Sequence, residues 1–174
     1  MPTSSKRWFD LKPDELLPTL LMSTYFFLVI TSFCILKPIK KTVFINFYGR
    51  ETFDFAGLTL SGPQAELIAN VLNMLVAYLA VVVFSALART LRREQLTYVF
   101  SVFFLLAFTY YRFVLAGAGE FTVWSFYLFG DAFSTLMVAT FFAFLNDSVD
   151  PGAAKRLYGI IGLGGVAGGA FGSL

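Results

Sequence analysis

Residues 16–49 read LLPTLLMSTYFFLVITSFCILKPIKKTVFINFYG. From Leu16 to Leu36 there is no charge, and about 20 apolar helical residues suffice to cross the hydrocarbon core of a bilayer. Lys37, Lys40 and Lys41 follow at once, and the chain then turns apolar again through TVFINFYG. A basic cluster at the end of a span ordinarily marks the cytoplasmic side. Whether these lysines are loop charges or lie at membrane depth therefore decides how the chain is threaded.

The rest of the chain fits a membrane setting. It is 57% hydrophobic and 14% charged, with 22 phenylalanines in 174 residues, more apolar surface than one soluble core of this size can hide. A formal charge of +2 lacks the dense basic stripe of a nucleic-acid binder, so no nucleic-acid partner is expected. The absence of histidine and the single cysteine, Cys34, argue against metal sites, His-based acid/base chemistry and an internal disulfide. No nucleophile–base pair stands out either, so neither an enzyme nor a cofactor is expected.

Four apolar runs have span length, at about Leu16 to Leu36, Ala65 to Ala88, Leu96 to Ala116 and Thr122 to Leu145, and a fifth begins near Leu157. Membrane-crossing strands would need shorter, alternating segments. The expected architecture is an all-α integral membrane protein with four complete transmembrane helices and the start of a fifth. Residues 1–15 form a tail in which Trp8 and Phe9, beside Lys6, Arg7 and Lys12, suit the headgroup region. Asp10, Asp14 and Glu15 interrupt this tail in a way a signal peptide does not allow. Residues 16–174 form the transmembrane domain, and the uncharged ending FGSL reads as the middle of a helix, so further transmembrane helices are expected beyond it.

Orientation follows from basic residues. A cytoplasmic N-terminus puts Lys6, Arg7, Lys12, Arg89, Arg92, Arg93, Lys155 and Arg156 on the cytoplasmic side, and Lys37, Lys40, Lys41, Arg50 and Arg112 on the other. The majority favours the N-terminus inside. The opening cluster then sits at the outer end of the first span, where that rule disfavours lysine. If the helix continues past Leu36, the i, i+3, i+4 spacing of Lys37, Lys40 and Lys41 puts them on one face, and Pro38 does not forbid this in a membrane helix. The stripe then either snorkels to headgroups or lines a cavity.

Asp131 is a second displaced charge, inside the fourth span and preceded by Gly130. It needs water, a cation or a partner helix. Asn70 and Asn73 share a face of the second span, where asparagine serves either as interhelical glue or as a ligand contact. Tyr110, Tyr111 and Arg112 close the third span, as an interfacial belt or a site edge. The run YGIIGLGGVAGGAFGSL superficially contains G-x-G-x-x-A, but the strand, soluble helix and later acid of a dinucleotide fold are missing. The pairs Gly164 with Gly168, Gly165 with Gly169 and Gly168 with Gly172 repeat G-x-x-x-G instead, which allows close helix approach in a tight seam or a moving helix.

Three stretches together resemble one family. ILKPIKKTVFI (35–45) resembles the I-L-R-x-x-K-[DK] end of the first span in the nucleotide (ATP/ADP) transporters of plastids and obligate intracellular bacteria. WSFYLFGDAFST (124–135) resembles that family's aromatic, acid-bearing fourth span. AKRLYGIIGLGG (154–165) is similar to its A-K-[KR]-x-Y-x-x-x-G-x-G start of the fifth. The resemblance implies a twelve-helix transporter related to the major facilitator fold, of which this chain would be most of the N-terminal six-helix half. It places the family's first-span lysine on Lys40 and its fourth-span acid on Asp131, with lysine at 41 where the family often has an acid, and aspartate at 131 in place of glutamate.

The expectation is nucleotide transport by alternating access, as ATP/ADP exchange or uptake, in a bacterial inner membrane. Lysines in a partly desolvated cavity would bind phosphate, and an aromatic wall could stack a base. The candidate substrate contacts are Lys37, Lys40, Lys41, Asp131, Asn70, Asn73 and Arg112. Two alternatives remain: a carrier of another organic or inorganic anion, and a non-transporting membrane scaffold.

Overall fold

The computed structural model describes residues 13–49, 53–55, 58–117, 119–149 and 151–174. The N-terminal tail through residue 12, with Trp8 and Phe9, lies outside them, as does Arg50. Five helices make up nearly all of the described chain: α1 (Pro13–Tyr48), α2 (Gly62–Thr90), α3 (Arg93–Val114), α4 (Glu120–Ser148) and α5 (Pro151–Gly172). The first four are long and apolar enough to cross a membrane, the pattern of a multi-pass membrane protein. A short antiparallel hairpin, β1 (Phe53–Phe55) and β2 (Leu58–Leu60), joins α1 to α2. Hydropathy gave no sign of it, because three-residue strands are too short to establish a period.

The largest departure from the sequence reading is the length of α1. It does not end at Leu36 but runs unbroken past Pro38 to Tyr48, because TVFINFY supplies further apolar turns and packed neighbours hold a helix through a proline. The lysines are thus helical residues, not loop charges. Helices α2 and α4 extend the expected spans by a few residues at both ends, α3 starts three residues early but stops at Val114, two short of Ala116, and α5 begins at Pro151, where proline suits the first helical position.

Local chemistry sets the turns. The side chain of Gln64 accepts a hydrogen bond from the Ser61 backbone N–H at 3.0 Å, and Gln95 does the same for Arg92 at 3.1 Å. These interactions close the starts of α2 and α3. Only Leu91 and Arg92 separate the two helices, so they run as an antiparallel hairpin.

Helices α1 and α4 are the hub. The first packs on α5, α4 and α2, while α2 and α3 lie against α4. Leu67, Val71, Met74 and Leu75 on α2, and Val102, Phe103, Leu105 and Leu106 on α3, are exposed, as lipid-facing side chains are in a bilayer. Inside, the buried residues separate into clusters. A central one joins Leu36, Phe100, Phe104, Phe133 and Met137, and another joins Phe44, Tyr48, Ala65, Ala69, Val123 and Tyr127. On α1 the boundary between them falls at Lys40, between Leu36 and Phe44.

Candidate functional site: a charged layer shared by three helices

Lys40 is 5% exposed, a degree of burial rare for lysine. Its ammonium forms an ion pair with Asp131 of α4 and lies over the Tyr127 ring, 4.5 Å from the centroid. From α2, the Asn73 amide Nδ2 donates to the same Asp131 oxygen at 2.5 Å. Three helices therefore meet at one carboxylate. Gly130 makes room for the lysine stem, since a Cβ there would lie 2.7 Å from Lys40 Cδ.

The depth of this layer follows from helix arithmetic. Asn73 lies eleven residues into α2 and Asp131 eleven residues into α4, both 29-residue helices starting at the same end of the bundle. At 1.5 Å per residue the layer is about 16 Å from those helix ends, well inside both spans. Within the bundle the Lys40 side chain turns to Asp131 of α4 rather than toward a helix end.

A second pair lies beside the first. Lys41 meets Glu66 of α2 at 3.1 Å, with its own side chain 57% exposed and that of Glu66 15% exposed. Tyr127 donates its hydroxyl to Asn70 Oδ1 at 3.0 Å and stands 3.5 Å from Glu66. Toward the hairpin end an aromatic group closes the layer. Phe44 packs on Tyr48, Trp124 and Tyr127, Trp124 Nε1 donates to the Tyr48 hydroxyl, and that hydroxyl bonds Glu120 at 2.9 Å.

The structure thus brings together Lys40, Lys41, Asp131, Asn70 and Asn73. Arg112 is exposed in the last turn of α3 and makes no ion pair among the described residues. Lys37 shares the face of its two neighbours, yet the arc of about 100° that the three occupy divides among different surroundings. Lys40 points to α4 and Lys41 to α2, while Lys37 is exposed over the ring of Phe33, 5.7 Å from its centroid.

Glu66, Tyr127 and Gly130 complete the layer, and the sequence reading singled out none of them as a contact. Glu66 reads as an ordinary acid at the start of a span, and Tyr127 is lost in an aromatic run. The glycine before an intramembrane acid was the available signal for Gly130.

The glycine run faces α1. A methyl group on Gly164 or Gly168 would run into the carbonyl oxygens of Ser23 and Phe27, and on Gly172 it would come within 2.7 Å of the Thr31 carbonyl. Gly165 abuts the Phe26 ring, whereas Gly169 stands in ordinary contact with Ile30 at 3.7 Å. Thr31 donates to the Gly168 carbonyl at 3.2 Å across this seam.

Two lysines matched by two carboxylates leave the group with no surplus charge, one pair set eleven residues into α4 and the other near the start of α2. No cluster of ligating side chains that could hold a metal ion occurs among the described residues. Comparison of the chain with protein families, with curated proteins and with solved structures finds no match.

Proposed function

We propose that this chain serves membrane transport of an organic anion of the nucleotide class by alternating access. The observation that carries the reading is the Lys40–Asp131 pair, buried between α1, α2 and α4. A charge pair inside a membrane span is costly to keep and is weak evidence for stability. It becomes useful if it must open. An arriving phosphate competes with Asp131 for Lys40, and loss of that contact frees α1 from α4 and, through Asn73, alters the hold of α2. Rocking of one helix group against another would then follow. The resemblance of residues 35–45, 124–135 and 154–165 to nucleotide transporters supports the nucleotide class.

The threading supports a cytoplasmic N-terminus. Lys37, Lys40 and Lys41 lie seven to eleven residues inside the end of α1, farther in than the other helical basic residues, and setting them aside leaves Arg50 and Arg112 against the eight basic residues of the cytoplasmic side. A bacterial inner membrane is the setting this reading proposes.

The test separates transport from interhelical glue. The double variant Lys40→Gln/Asp131→Asn removes both charges together, so it leaves no uncompensated ion. It is expected to fold at wild-type level in vesicles and to take up labelled ATP at background rate. Wild-type uptake by this variant would sink the proposal.

A further inference from the structure

Below the ion pair, α1 and α4 part to leave a groove of about 480 Å³ lined by Ile30, Phe33, Ser134, Thr135, Val138 and Ala139. Its position follows from helix spacing. Ile30, Phe33 and Lys37 stand on one face of α1, at i, i+3 and i+7, and Asp131, Ser134, Thr135 and Val138 on one face of α4. The Lys40–Asp131 pair therefore lies at one end of the groove, and the Asp131 side chain is 24% exposed. Ser134, in the groove wall, donates its hydroxyl to the Asp131 backbone carbonyl at 2.9 Å.

Lys37 is the cation that the layer leaves over. It is exposed, and no carboxylate pairs with it among the described residues; its ammonium lies over Phe33, a groove residue. It is eleven residues from the Tyr48 end of α1, about 16 Å at 1.5 Å per residue. An uncompensated ammonium inside a span is costly against lipid tails and favours water or an anion as its neighbour.

We infer that the open, largely apolar groove between α1 and α4 is a subsite for the anion, with Lys37 at its edge, not Lys40, taking the charge first and Phe33 offering a face to a flat apolar portion such as a nucleobase. This deepens the transport reading and rests on it. The division of labour is physical: Lys37 has no carboxylate to leave, so it can bind an anion without stranding one, whereas Lys40 can do so only by releasing Asp131. The volume lies within the 300–1,000 Å³ range of small-molecule sites, and bases stack on aromatic rings without need of hydrogen-bond readout.

The test uses Thr135→Cys in a Cys34→Ser background, with the full chain in vesicles and a negatively charged, membrane-impermeant methanethiosulfonate as probe. Modification is expected, slowed several-fold by ATP, and Lys37→Gln is expected to reduce the rate about tenfold through loss of local charge. Lys37→Arg should restore it. A neutral reagent should be insensitive to Lys37→Gln. Modification only by a membrane-soluble maleimide means that lipid or another helix covers the groove, and overturns the inference. Fast labelling indifferent to both ATP and Lys37→Gln overturns it as well. The charge effect on labelling needs no transport, so it holds or fails apart from ATP uptake.

Discussion

Along α1, the face toward α5 and the face toward α2 and α4 hold their neighbours by different chemistry. Against α5, glycines bring backbone to backbone, with Gly168 on Phe27 and Gly172 on Thr31, and few polar groups take part. Against α2 and α4, contact depends on lysines meeting carboxylates across a gap that side chains fill. The glycine seam depends on shape. Between Ser23 and Thr31 it has no charge to strand, the Glu15–Arg156 pair lying beyond it toward Pro13, so small shifts along this stretch cost mainly packing. The charged layer has discrete arrangements, because Lys40 is either on Asp131 or off it.

The sharpest way to break this contrast is to unbalance the layer. Lys40→Met leaves Asp131, 24% exposed and still held by Asn73, without its cation, and a loss of up to about 3 kcal/mol is expected, below the full cost of stranding a wholly buried ion. Lys40→Met/Asp131→Leu should recover most of it. Unfolding in a denaturing detergent titration measures both, and a single variant as stable as wild type would mean that the pair is not desolvated.

The glycine seam can be probed within one helix. Gly168→Ala forces a methyl group onto the Phe27 carbonyl, so about 1–3 kcal/mol should be lost through overpacking. Gly159, on the same helix, has nothing within 4 Å of an added Cβ. Gly159→Ala should be neutral or gain up to about 1 kcal/mol from helix propensity. Equal effects at both positions, by the same titration, would remove the seam from the argument.

The smallest effect is expected at Lys41. Its side chain is mostly exposed, and an exposed pair contributes at most about 1 kcal/mol. Lys41→Gln should therefore leave stability within that margin. A loss comparable to that of Lys40→Met would show that the two pairs act as one unit, and would erase the distinction drawn between them.

Helix positions on α2 to α5 were legible because long apolar runs register in any window. The end of α1 was not, since three lysines and a proline lower the hydropathy where the helix in fact continues. Asp131 stood out as a charge in an apolar run. Its partners did not, because nothing local ties Asn73 to a residue 58 positions away. Glu66 was hidden for the opposite reason: an acid near the start of a span is ordinary until the fold sets Lys41 against it. Arg112 was equally legible as a charge near a span end, and the fold leaves it exposed in the last turn of α3.

The length of α1 acts on the mechanics of the bundle. Lys40 divides its 36 residues unequally, with eight beyond it toward Tyr48 and 27 before it toward Pro13. At 1.5 Å per residue these are lever arms of about 12 Å and 40 Å. If the helix tilts about the point where Lys40 grips α4, a turn of about 10° moves the Tyr48 end by about 2 Å and the Pro13 end by about 7 Å. At the far end Glu15 holds Arg156 of α5 at 3.2 Å. A displacement too small to disturb the aromatic group around Tyr48 would therefore carry α5 along, or pull that tether apart.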